Sequence, residues 1–129
     1  MKQIVDFDSQ LKDKILLLEN ECQKICEKYK AIYFEKFQLG KGLLVDVIRI
    51  RKGKSADQDD LFEEDYESFI EIGLEHEGEY YPDGYIPLWK CKSEWLQMTG
   101  YLTNRSLSQI EATVSALLTE MLEDSRQEE

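Results

Sequence analysis

Histidine occurs once, proline twice and cysteine three times in 129 residues. With His76 as the lone imidazole, any Ser-His-Asp or Cys-His mechanism has to pass through that residue. No G-x-S-x-G turn accompanies it. An odd, small cysteine count cannot close a disulfide framework, so a reducing compartment, the cytoplasm, is expected. Cys22 and Cys26 stand one helical turn apart, too wide for an unstrained disulfide. Joined with Cys91 and His76 they still lack any paired C-x-x-C spacing, so buried thiols are expected instead of a metal site. No uninterrupted apolar run exceeds four residues, which leaves no transmembrane or leader segment in view.

Positive charge is also scarce: 16 bases face 27 acids, a net of −11. That balance argues against a chain that grips phosphates or an anionic membrane surface. Gly53-Lys54-Ser55 ends like a phosphate-binding loop, but the first glycine of that pattern would fall on Ile48. Gly40-x-Gly42 runs into a strand pattern instead of a helix, so it cannot present helix N-terminal amides to a dinucleotide. A faint helix-turn-helix pattern from Thr99 to Met121 would put Glu111 and Glu120 against phosphate. The expectation is a protein without enzymatic activity or cofactor, with no direct contact to nucleic acid or membrane.

What is present reads as one globular α+β domain over residues 1–129: 42% hydrophobic and 11% aromatic residues suffice for a core. Apolar residues recur at Leu11, Ile15, Leu18, Cys22, Ile25, Tyr29 and Ile32 in steps of four and three. This predicts a long N-terminal helix from Ser9 to about Gln38, with Asp8 or Ser9 as N-cap and Gly40 and Gly42 as the stop. The stripe either packs on the chain's own sheet or forms a homodimer seam through Leu11, Ile15, Leu18, Ile25 and Ile32.

A three-stranded antiparallel meander is expected next. Its first strand runs from Leu43 to Arg51, with Leu44, Ile48 and Ile50 on one face and Val45, Val47, Arg49 and Arg51 on the other. The second, Ser68 to Glu77, alternates Ile70, Ile72 and Leu74 inward with Glu71, Glu75 and Glu77 outward. The third, Tyr85 to Lys92, follows a Pro82-Asp83-Gly84 turn, and Pro87 demotes it to an edge or a bulge. Ser93 would cap a short helix ending at Gly100. The C-terminal amphipathic helix carries Leu107, Ile110, Val114, Leu117 and Met121 behind a capping box, either Ser106 with Gln109 or Ser108 with Glu111.

Charge is segregated. Between Asp57 and Asp83 lie twelve carboxylates and no lysine or arginine. The same stretch and its sequel interleave Tyr80, Tyr81, Tyr85 and Trp89. Rings beside unpaired carboxylates suit docking of a cationic protein, the rings supplying affinity and the charges steering approach. The expected contact residues are Asp59, Asp60, Glu63, Glu64, Asp65, Glu71, Glu75, Glu77, Glu79, Tyr80, Tyr81, Tyr85 and Trp89. The function expected from these features is a non-enzymatic inhibitor, immunity, antitoxin-like or chaperone factor that masks a basic surface of a partner protein. The alternatives are a nucleic-acid mimic, a calcium-responsive protein, although the acids from Asp57 do not fit an EF-hand loop, and a structural subunit of a larger assembly.

Overall fold

The computed structural model describes residues 1–37 and 41–127, leaving aside the side chains of positions 41, 126 and 127. It is an α+β fold in which two helices lie on one face of a six-stranded antiparallel sheet. In chain order the elements are β1 (Lys2–Ile4), α1 (Ser9–Phe34), β2 (Lys41–Arg51), β3 (Lys54–Ser55), a 3-10 turn (Gln58–Asp60), β4 (Tyr66–His76), β5 (Glu79–Glu94), β6 (Gln97–Leu102) and α2 (Leu107–Gln127). The strands are ordered β1-β6-β5-β4-β2-β3.

Asp8 starts α1 by accepting a 2.8 Å bond from the Leu11 amide. The helix ends at Phe34, short of the predicted Gln38, and the predicted stop at Gly40 lies outside the described residues. Leu11, Ile15, Cys22, Cys26 and Tyr33 are buried, and Leu18 and Ile25 pack partly buried on the same core. The stripe proposed as a homodimer seam is therefore engaged by this chain's own sheet, and of its members Ile32 is left exposed at 45%. The α2 cap is the Ser106/Gln109 box: the Ser106 amide donates to Gln109 Oε1 at 2.8 Å, and the Gln109 amide donates to Ser106 Oγ at 3.2 Å.

Alternation holds along β2 and β4. Val45, Val47, Ile70 and Ile72 are buried under the helices together with Ile86 and Leu88 of β5 and Ile110, Val114 and Leu118 of α2. A second core group joins Leu11 and Ile15 to Leu61, Tyr66, Trp89, Cys91 and Leu102. α1 also shields the outer edge of β2, where Gln23 Oε1 accepts the Val47 amide at 3.2 Å.

The predicted meander is too small, because β1, β3 and β6 complete six strands. The third predicted strand runs from Glu79 to Glu94, and both its prolines sit opposite irregularities in the β4 register, Pro82 across from Gly73 and Pro87 across from Phe69. The predicted short helix after Ser93 is instead a hairpin: Glu94 pairs Gln97 across the two-residue turn Trp95-Leu96. The pairs Lys92–Thr99, Ser93–Met98 and Glu94–Gln97 lie beyond the last pairing of β4 and of β1, so β5 and β6 continue as a two-stranded ribbon.

Candidate functional site

The acidic segment does not form a single patch. Its first part, Asp57 to Asp65, follows the β2–β3 hairpin and packs beside α1, where Gln58 Nε2 donates to Glu19 Oε1 and Asn20 Oδ1. Asp57 and Asp60 cap the 3-10 turn reciprocally, so their carboxylates are committed to backbone amides. Arg51 lies 3.9 Å from Glu63. Among the described residues no three His, Cys, Asp or Glu side chains converge as metal ligands. Glu67, Glu71 and Glu75 follow on the sheet face away from the helices, and Glu77 lies in the β4–β5 turn with Glu79 just after it. Asp59, Asp60, Glu63, Glu64 and Asp65 thus stand a full strand length from Glu75, Glu77 and Glu79, roughly 33 Å along β4. The twelve acids form no continuous phosphate-like row.

Trp89 is a correction. It is fully buried, its Nε1 donates to the Leu61 carbonyl at 2.7 Å, and Phe7 and Phe62 meet its ring edge-on. It organises the core and touches no solvent.

What the fold does bring together lies at the β4–β5 hairpin end. A groove of about 470 Å³ runs between this hairpin and the last turns of α2, lined by Leu74, His76, Tyr81, Pro82, Asp83, Met121, Asp124 and Ser125. Leu74, Tyr81, Pro82 and Met121 supply apolar surface. Burial, and then the neighbouring Asp124, hold the Asp83 carboxyl above the usual carboxylate range. The C-terminal end of α2 adds the negative pole of its dipole at the same place. On the rim the Tyr81 hydroxyl donates to Glu79 at 2.8 Å, and His76 Nε2 stands 3.8 Å from Glu77. Tyr80 and Tyr81 are exposed at 42% and 52%. A site of this kind offers an apolar floor beside two carboxylates that have no ion pair among the described side chains, which suits the stem and charged head of a lysine or arginine side chain.

The thiols offer no nucleophile. Cys22, Cys26 and Cys91 are buried, and desolvation foremost pushes each up to about 12.

Two residues that matter were missed in the sequence. Glu19, fully buried, accepts from Arg49 Nε at 2.9 Å, Tyr66 hydroxyl at 2.6 Å and Gln58 at 3.3 Å, tying α1 to β2, β4 and the 3-10 turn. Its position four after Ile15 and three before Cys22, inside the apolar stripe, is the signal that could have found it. Asp124, three after Met121, lies near Asp83 by the packing of α2 on the hairpin, which no spacing in the sequence reveals.

Compared with protein-family models, curated proteins and solved structures, the chain finds no match. Among the described residues no helix is long and apolar enough to cross a membrane.

Proposed function

We propose that this chain is a non-enzymatic binding protein that captures a cationic segment of a partner protein at the β4–β5 hairpin end. The observation that carries the reading is the groove in which Asp83 and Asp124 stand close enough to disturb one another beside Leu74, Tyr81 and Met121. Two carboxylates crowded in this way are relieved by a bound cation, and the apolar floor gives that cation's stem a place to pack. Glu77 and Glu79, at the β4–β5 turn beside the groove, steer a basic partner toward it. Asp59, Asp60, Glu63, Glu64 and Asp65 are too distant to share this contact, and Glu75 and Tyr80 face the other side of the sheet, so the contact set narrows to Glu77, Glu79, Tyr81, Asp83 and Asp124.

Isothermal titration of the full chain with a short polylysine peptide tests the reading. Binding is expected at ionic strength of about 0.05 M and should weaken steeply toward about 0.3 M. The combined change Glu77→Lys, Glu79→Lys and Asp124→Lys should abolish it. Equal affinity in that variant would reduce the acidic end to a solubilising surface.

A further inference from the structure

Beyond the last pairings of β4 and β1 the β5–β6 ribbon extends by three further residue pairs, about 10 Å, and ends in Trp95-Leu96. Both side chains are wholly exposed, and both residues hold positive φ. Asn-Gly would take this turn without strain. Two bulky apolar residues cost stability here and bury nothing in this chain. Uncompensated strain at an exposed apolar tip points outward, to something that the tip meets.

The side chains behind the tip are already engaged: Glu94 accepts the Tyr101 hydroxyl at 2.8 Å, and Met98 packs against the core group around Trp89. Trp95 and Leu96 alone offer roughly 300 Å², or about 600 Å² with a partner's matching surface, short of the about 1,200 Å² at which specific protein interfaces begin. A bilayer interface needs no complementary rim, and its headgroup layer favours tryptophan. The ribbon's reach of about 10 Å matches the about 5–10 Å to which apolar surface sinks at the headgroup–acyl boundary, and the Glu94–Gln97 pairing closes the turn's backbone within the ribbon. Charge selects the kind of bilayer. On the open face, the side of the sheet turned from the helices, Lys90 stands across from Glu67, and Lys92 is followed by Glu94. Lys52 lines the same hollow as Asp65. Bases and acids thus alternate at the ribbon's root, and the chain carries a net −11, so an anionic surface repels it whereas a zwitterionic one does not.

We propose that the Trp95-Leu96 tip is an interfacial anchor that dips into zwitterionic bilayers of the phosphatidylcholine type, weakly and reversibly. It is smaller than one myristoyl chain, so an association constant on the order of 10³ M⁻¹ is expected. The groove at Asp83 lies near the start of β5 and the tip at its end, roughly 35 Å away along the strand. An anchored chain therefore keeps that groove in water, and the anchor stands apart from the proposed capture of a cationic partner.

Phosphatidylcholine vesicles added to the full chain test this, with tryptophan emission as the readout, because Trp89 is buried and Trp95 alone meets solvent. Emission should move to shorter wavelength, half complete near about 1 mM lipid, and lipids brominated along the acyl chain should quench it. In co-sedimentation with the same vesicles, Trp95→Asn with Leu96→Gly, which relieves the turn and so places no demand on folding, should bind at least about tenfold more weakly. Replacing about a third of the lipid with phosphatidylserine should weaken binding of the unaltered chain. Raising salt from about 0.05 to about 0.3 M should leave binding to phosphatidylcholine unchanged, unlike capture at the groove. No emission shift up to about 10 mM lipid would overturn the proposal and assign the tip to a protein pocket instead. Equal binding by the turn variant, or binding that needs phosphatidylserine, would overturn it as well.

Discussion

Gly100 and Gly73 lie in the same sheet, and each has an aromatic ring laid over it: a Cβ added at Gly100 would fall inside the Trp89 ring, and one at Gly73 would strike the Tyr80 phenol. The surroundings of the two rings differ entirely. Trp89 faces the helices, is fully buried, and is held by its bond to the Leu61 carbonyl and by Phe7 and Phe62. Tyr80 belongs to the open face, is 42% exposed, and has solvent to swing into. The same local device therefore locks one face and only drapes the other. What decides the energetic weight of a contact here is the freedom of its partner to move away, and the covered face has almost none.

Polar groups divide in the same way, and there the largest effect is expected. Removing Arg49 leaves the fully buried Glu19 carboxylate without its cation, and Arg49→Ala should cost about 3–5 kcal/mol in urea unfolding. Lys30→Ala, which removes the half-exposed partner of Asp46 at 3.8 Å, should cost under about 1 kcal/mol. Equal losses would break the distinction between faces. Gly100→Ala comes next, at about 1–3 kcal/mol, because the displaced indole meets packed rings on every side.

The turns sharpen the comparison further. Lys52-Gly53, Glu77-Gly78 and Trp95-Leu96 are all two-residue hairpin turns with positive φ at both positions. The first two place glycine second, whereas Trp95 and Leu96 hold φ of 53° and 64° with side chains 98% and 105% exposed. The strain is not offset by any burial. Trp95→Asn with Leu96→Gly should therefore raise stability by about 1–2 kcal/mol, measured as a higher urea midpoint at unchanged m-value. A loss instead would mean that the ribbon tip has packing that its exposure conceals.

This turn also explains where sequence reasoning failed. Residues 93–100 were predicted as a short helix because Trp95-Leu96 lacks the Asn, Asp or Gly that ordinarily marks such a turn. Losing the hairpin loses β6, and β1 can be recognised only as the partner of β6. Where periodicity is long and the caps are ordinary, reading succeeded: α1 begins at Ser9 behind Asp8, Ser106 and Gln109 cap α2, and Ile70 and Ile72 point inward. The candidate site was legible only in part. Glu77, Glu79, Tyr80 and Tyr81 sit together because one hairpin carries them. Trp89 was misplaced because an indole in an acidic stretch looks like an exposed anchor until its tertiary cover is known, and Asp124 joins Asp83 only through helix packing.

The smallest effect expected belongs to the loosely draped glycine. In Gly73→Ala the new methyl meets the far end of the Tyr80 side chain, which can rotate toward solvent, so stability should fall by less than about 1 kcal/mol. The displacement has a spectroscopic mark. Tyr80 now ionises above the usual phenol range, first because it is partly buried and then because Glu71 lies beside it and accepts its hydrogen bond. Lifting the ring off Gly73 relieves the burial and lengthens the distance to Glu71, so one tyrosine of the seven should titrate at lower pH in ultraviolet difference spectra. An unchanged titration with a large loss of stability would show that Tyr80 is held as firmly as Trp89. The open face would then be as rigid as the covered one.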